Sequence, residues 1–291
     1  MRKIFMMACA VALMTACEKP VIDEVTNEEV TTTKTKKFTF TLKGDFSDQW
    51  KPVTRGYLQA DGKDLTDVWV LDYKDGILVQ QLHQDDNTAE DFGQPVMNLS
   101  YGTHHVYFIA SRGQGATLDT EAKTLSFSKV LDTFYKDYEV TVVSTSSGNR
   151  AVTLDRVVTR LRLTFTDEIP SNAATFNVAP ATWYYGLNYV TGSPCAAATS
   201  QNVVVNIPSS SIGKTGEYLS VFGFSSATEW TTDVTFNGKT IGGDILGQAT
   251  ITAAPFKANR STEYTGPLFS AGGSMTMSLA TTWDDAYTGT W

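Results

Sequence analysis

Apolar and polar residues alternate with period two along much of the chain, the mark of strands with one face on a core and one in water. The cleanest case sets Phe38, Phe40 and Leu42 against Thr39, Thr41 and Lys43. That strand stands alone, followed by a loop over 44–56 that carries Arg55. Val68 to Tyr73 is apolar on both faces, as in a central sandwich strand. Lys74-Asp75-Gly76 then predicts a tight turn, and Ile77-Leu78-Val79 a returning strand. Val106 to Ala110 and Glu139 to Val143 read as further strands, while 129–138 reads as one short helix. Leu161, Leu163 and Phe165 alternate with Arg160, Arg162 and Thr164, predicting a half-buried strand with a basic outer face. Val203, Val205 and Ile207 alternate again, and Leu219 to Phe224 is a buried-type strand. Asn237-Gly238 between Val234–Phe236 and Lys239–Ile241 predicts a hairpin. Met275, Met277 and Leu279 form the last alternating strand.

This pattern predicts an all-β protein. Its 291 residues suit two tandem β-sandwiches, over 37–150 and 151–291, joined at the polar stretch 144–151. No repeat of fixed period is visible.

The start of the chain reads differently. Arg2 and Lys3 precede an apolar run from Ile4 to Met14, too short to span a bilayer. Thr15-Ala16-Cys17 follows, a lipobox-like end, so residues 1–16 read as a lipoprotein signal and Cys17 as the lipidated residue. The polar, threonine-rich segment 18–36 reads as a tether. The protein is then expected at the outer membrane, delivered by lipoprotein export machinery.

Composition narrows the chemistry. The net charge is −8 and the pI about 4.9, which disfavours nucleic acid. Losing Arg2 and Lys3 with the signal takes the side-chain charge to −10. Three Cys and three His are present. With Cys9 removed and Cys17 acylated, Cys195 has no disulfide partner and no sequence-local base, and reads as a structural thiol. His104 and His105 are adjacent, so on a strand they face opposite ways and cannot chelate one metal. All three His, His83 included, are expected to be dispensable for metal binding and for assembly. The acidic loop 85–91 lacks calcium-loop spacing. Gly113-Gln114-Gly115 and Gly213-Lys214-Thr215 complete no nucleotide motif, and no Gly-x-Ser-x-Gly elbow occurs. Trp183-Tyr184-Tyr185 reads as core before it reads as a sugar platform. No catalytic residue, metal or cofactor is expected.

Four segments resemble the fimbrillin family, the lipoprotein-derived subunits of type V pili. They are Arg156-Val157-Val158-Thr159-Arg160-Leu161-Arg162-Leu163, Asn259-Arg260-Ser261-Thr262-Glu263-Tyr264 before Gly266, the pair Trp283 and Trp291, and Val53-Thr54-Arg55-Gly56. Thr159 stands where Ala is common in the family, and Gly56 follows the arginine where Ala is common. The resemblance implies two transthyretin-like sandwiches and a role in fimbrial assembly and cell adhesion. An Arg-specific protease would cut between Arg55 and Gly56 and release the strand of Phe38, Phe40 and Leu42. A donor segment from another pilin subunit, carrying Met275, Met277, Leu279, Trp283 and Trp291, would replace it. Burying the three side chains is worth about 5–9 kcal/mol, so their loss demands a replacement. The alternative is a lipid-anchored surface protein that is never cut: a pilus anchor, or an adhesin for a host or glycan receptor.

Overall fold

The computed structural model describes residues 34–44, 65–197, 202–270, 276–280 and 286–287. The described residues belong to one compact unit. The fold is all-β, as the alternation predicts.

Seven strands build the first sandwich. They are β1 (Thr35–Lys43), β2 (Asp67–Lys74), β3 (Ile77–Gln84), β4 (Val96–Ser100), β5 (Gly102–Ser111), β8 (Thr133–Val142) and β9 (Asn149–Thr153). One sheet runs β4-β1-β9. The facing sheet runs β8-β5-β2-β3, extended past β8 by the short β10 (Asp155–Arg156). Phe38, Phe40, Val68, Val70, Met97, Leu99, Val106 and Phe108 fill the space between them. Between β2 and β3, Asp75 and Gly76 both take positive φ, the conformation that a tight primed turn requires.

The second sandwich repeats this arrangement strand for strand. Its elements are β11 (Val158–Phe165), β12 (Ala173–Pro180), β15 (Val203–Asn206), β16 (Glu217–Phe224), β17 (Trp230–Thr240), β18 (Ile245–Phe256) and β19 (Ser261–Gly266). One sheet runs β16-β11-β19 and the other β15-β12-β17-β18. In both halves the first strand lies between an antiparallel and a parallel neighbour. β1 pairs antiparallel with β4 and parallel with β9; β11 pairs antiparallel with β16 and parallel with β19. The repeat is one of topology, and the sequence carries no period to betray it. The second copy continues beyond β19 with β20 (Thr276–Ala280) and β21 (Ala286–Tyr287).

Each half also has one insertion. β6 (Gln114–Asp119) and β7 (Thr124–Lys129) lie between β5 and β8; β13 (Tyr184–Asn188) and β14 (Ser193–Ala197) lie between β12 and β15. The insertions pair with each other through β7 and β13, making the four-stranded sheet β14-β13-β7-β6. This shared sheet leans on the outer face of the first sandwich. Tyr73 and Tyr189 meet hydroxyl to hydroxyl at 2.8 Å, and Tyr135 donates to the Tyr189 carbonyl at 2.9 Å. Leu71, Tyr73, Tyr107 and Ile109 thereby join the apolar cluster that contains the second core. The two-faced apolar pattern of Val68–Tyr73 is explained: Val68 and Val70 face the first core, Leu71 and Tyr73 the shared sheet.

Three local expectations fail. The expected helix at 129–138 is the end of β7 and the start of β8, because Phe134 fills the first core and Tyr135 the shared-sheet contact, a period of two. The expected turn at Asn237-Gly238 lies inside β17, and the chain reverses at 241–244 instead. A side chain on Gly238 would meet the Phe269 ring at 2.5 Å, so this glycine serves close packing, while Gly243 takes the positive φ of the turn. The basic outer face expected on β11 is buried at Arg160, which is 7% exposed, while Arg162 and Thr164 remain part-exposed.

Candidate functional site

The strongest candidate is the slot that β1 occupies. β1 is the middle strand of its sheet. Its first half pairs with β4 from Thr35↔Ser100 to Thr39↔Val96; its second half pairs with β9 from Thr39↔Asn149 to Lys43↔Thr153. Phe38 and Phe40 are fully buried, and Leu42 packs against the same cluster. The Phe40 ring meets Phe108 edge-on at 5.0 Å on the slot floor. Phe38 stacks 5.9 Å from Phe40, under the Arg150 guanidinium. Taking β1 away would leave two facing strand edges over an apolar floor, a receptor for an extended peptide.

The wall is shaped to admit a backbone. Thr39 donates its N–H to the Gly148 carbonyl at 2.7 Å. A Cβ on Gly148 would lie 2.6 Å from the Lys37 carbonyl oxygen, so only glycine lets β1 approach there. Beyond these contacts, and among the described residues, β1 is tied by one side-chain hydrogen bond, from exposed Lys36 to the Ser144 carbonyl at 2.8 Å.

A buried polar pair lies within the first core. His104 and Asp72 are both essentially unexposed, and His104 Nδ1 is 2.7 Å from the Asp72 carboxylate. His104 Nε2 is 2.9 Å from the Ser100 carbonyl on β4, which can only accept, so Nε2 carries a hydrogen and a second proton is shared with Asp72. Burial raises the Asp72 carboxyl above the ordinary range, partly opposed by the His104 hydrogen bond and charge. His104 and His105 point to opposite faces of β5, as their adjacency predicts, and the pairing of His104 with Asp72 was not read from the sequence. His104 has the parity of Val106 and Phe108, and Asp72 that of Val68 and Val70; the signal was there in the period of two. His83 instead stacks on Trp69 and contacts Asp67, and His105 contacts Asp137 near the surface. Among the described residues, no three His, Cys, Asp or Glu side chains gather to hold a metal. No described helix is long and apolar enough to cross a membrane.

At the other end of the chain, β20 lies antiparallel to β19, from Ser261↔Ala280 to Thr265↔Thr276. Its place beside β19 corresponds to the far side of β9 in the first half, where no described strand pairs. Met277 and Leu279 fall in this strand. Cys17, Arg55, Gly56, Met275, Trp283 and Trp291 lie outside the described residues.

Two of the segments that carry the family resemblance meet in space. Arg156 reaches Asp132 at 2.7 and 3.1 Å and Asn259 at 2.9 Å. Arg160 reaches Ser261 at 2.7 Å and Glu263 at 2.9 Å, and Thr159 donates to the Arg260 carbonyl. Burial lowers Arg160 to about 10, with Glu263 pulling the other way, so it stays charged at neutral pH.

No family model matches the sequence, and neither does any curated protein. Solved structures do match by fold. A candidate adhesin from Bacteroides ovatus aligns over 88% of this chain and 97% of its own, with a TM-score of 0.51 and 12% identity. A candidate polysaccharide-binding protein from Bacteroides thetaiotaomicron aligns over 87% and 98%, at 0.50 and 10%. This chain shares their fold. That agrees with the tandem sandwiches the fimbrillin resemblance implied. The Trp183-Tyr184-Tyr185 cluster is core, as the sequence suggested: Trp183 is buried and donates to the Phe222 carbonyl at 2.9 Å.

One further feature had no visible signal. The Asp167 carboxylate accepts N–H groups from Leu268, Phe269 and Ser270 and the Ser270 hydroxyl, pinning the chain that leads toward β20. Burial pushes Asp167 up, but these donors outweigh it and hold its pKa below the ordinary carboxylate value. An aspartate that caps a loop a hundred residues away is not readable from local sequence.

Proposed function

We propose that the chain is a structural subunit of a cell-surface pilus of the fimbrillin kind, serving adhesion. It is exported as an outer-membrane lipoprotein on Cys17, cut after Arg55, and polymerised by strand exchange with other pilin subunits. The observation that carries this reading is the position of β1. It is the central strand of its sheet, buries Phe38 and Phe40, and is followed by the segment 45–64 that includes Arg55. One cut in that segment would detach a strand whose departure leaves a ready-made peptide receptor. The donor is the C-terminal segment of Met275, Met277, Leu279, Trp283 and Trp291, of which β20 already pairs along β19, with the two-residue β21 outside it. No catalytic step is part of this function. The shared fold with candidate adhesins supports a surface role.

The test is SDS-resistant laddering with an Arg-specific protease. Wild type should form ladders. Arg55→Ala should remain a folded, lipid-held monomer, and deletion of 283–291 should allow cleavage but stop chain growth. Equal ladders from Arg55→Ala and wild type would transfer the protein to the second reading, an uncut lipid-anchored adhesin. The fold shared with a candidate polysaccharide-binding protein favours that reading.

A further inference from the structure

Two stretches of the chain are alike position by position. Residues 38–50 read FTFTLKGDFSDQW, and residues 275–287 read MTMSLATTWDDAY. Aligned without a gap, Thr39 falls on Thr276, Leu42 on Leu279 and Asp48 on Asp285. Phe38 and Phe40 fall on Met275 and Met277, and Thr41 on Ser278. The aromatic residues Phe46 and Trp50 fall on Trp283 and Tyr287. Residues 35–43 and 276–280 are strands, β1 and β20; beyond Gly44 the likeness is one of sequence. It does not follow the duplication of the two sandwiches. There the counterpart of β1 is β11, which sets Arg160 and Arg162 between its apolar residues where β1 has threonine. A likeness that crosses the topology is accounted for by a shared seat.

The seat of β1 suits both sequences. Phe40 meets the ring of Phe108 at 5.0 Å and that of Tyr138 at 6.1 Å, both edge-on. A methionine thioether packs well beside aromatic rings, and its flexible stem fills a seat shaped for a phenyl group. Thr39 and Thr41 hold the positions that face away from the core, which Thr276 and Ser278 would keep polar. At present β20 has a ladder on β19, with the two-residue β21 outside it. The seat of β1 offers β4 along one half, β9 along the other, and an apolar floor beneath.

We infer that residues 275–287 of a second copy of this chain take the seat of β1 in the register of this likeness. Met277 then stands in the place of Phe40 and Leu279 in that of Leu42. Thr276 and Ser278 take the outward positions of Thr39 and Thr41. The inference rests on the exchange reading above, and adds to it the partner and the register. The incoming strand runs antiparallel to β4 and parallel to β9, as β1 does. Ser278 comes opposite Ala151 and Thr276 opposite Asn149, the present partners of Thr41 and Thr39. A slip of one residue would turn Thr276 and Ser278 onto the apolar floor.

The test has two arms, and the first needs no cleavage. In the full chain, residues 38–50 are replaced by the sequence of 275–287 and, as a control, by that of 276–288. The matched transplant should melt within about 10 °C of wild type and keep amide protection in β4 and β9. The shifted transplant should lose that protection. Equal loss in both, or equal retention, overturns the shared seat. The second arm mixes full-length variants after treatment with the Arg-specific protease, all carrying Cys195→Ser to remove the free thiol. Ser278→Cys with Ala151→Cys should cross-link between chains at least about tenfold more than Thr276→Cys with Ala151→Cys, because a two-residue slip moves the partners about 7 Å along the strand, out of disulfide reach. Ladders in which the slipped pair cross-links as well, or in which neither pair does, overturn the register and leave the pilus reading standing. Absence of any ladder overturns that reading and with it the second copy as partner, while the transplants still decide whether the two segments are interchangeable.

Discussion

β1 and β11 hold the same place in two copies of one topology, yet they are secured in opposite ways. Among the described residues, β1 is held by its ladders and by apolar burial, with exposed Lys36 making its one side-chain hydrogen bond. β11 is held by the same kinds of ladder and in addition by buried charge: Arg160 on Ser261 and Glu263, and Thr159 on the Arg260 carbonyl. Arg156, just before it, is clamped by Asp132 and Asn259. An apolar ladder can be vacated and refilled by any strand with the right alternation. A buried ion pair cannot, because withdrawing one partner strands the other. The difference makes β1 the more separable of two strands that hold equivalent places.

The contrast can be attacked where it is largest. Phe40→Ala and Phe38→Ala should each cost about 3–5 kcal/mol. The loss should fall on the first sandwich, seen as early loss of amide protection in β4 and β9 while β16 and β19 stay protected. Simultaneous loss in both halves would remove the contrast. Arg156→Ala should cost a comparable amount, about 3–5 kcal/mol, by leaving buried Asp132 with, among the described residues, only the looser 4.0 Å contact to Arg112. Here chemical denaturation should show both halves weakened together, since Asp132 and Asn259 lie on either side of the joint. His104→Ala should be as damaging, because it leaves Asp72 buried without its partner. This expected loss is one of stability, and it leaves the expectation that the three His are dispensable for metal binding and for assembly as it stood.

A smaller effect sharpens the slot itself. Gly148→Ala should cost about 1–3 kcal/mol by pushing on the Lys37 carbonyl. After cleavage it should also speed departure of β1, measured as the rate of ladder growth; an unchanged rate would mean that the Gly148 wall does not govern release.

The smallest effect is the acid response of Asp167. Its folded pKa is depressed, so its contribution is complete above the unfolded value near 3.8 and fades as pH falls through the lower folded value. Amide exchange at 268–270, corrected for intrinsic pH dependence, should therefore be level down to about pH 4 and accelerate below it. Asp167→Asn should show the fast exchange at every pH.

How much of this was legible in the sequence follows from the range of the forces involved. Period-two alternation is local, so β1, β2, β11 and β16 could be read directly, and parity alone separates His104 from His105. The turn at Asp75-Gly76 was readable because the chain needs positive φ there. Asn237-Gly238 misled because the same glycine serves a non-local need, room for Phe269. The strand at 133–142 was missed because Phe134 and Tyr135 serve two different packing layers, which blurs the alternation. Pairing between the two insertions, and the reach of Asp167 to Ser270, join residues far apart in the chain, and no local pattern encodes them. Of the slot, the filling strand was visible and its walls were not: β4 and β9 are short, and Gly148 looks like any loop glycine.

The shared sheet has a mechanical consequence. Pulling the two halves apart loads the connection at 154–157 and, beside it, the ladder from Thr124↔Asn188 to Ser126↔Gly186, backed by the Tyr73–Tyr189 contact. Two stitches in parallel divide the tension and resist bending, so the joint behaves as a stiff coupling. Stress entering one half would reach the other almost undamped. In a polymer assembled as proposed, the part that yields first under tension would then be the donor strand, held without covalent continuity in the first sandwich's slot and loaded in shear along its length.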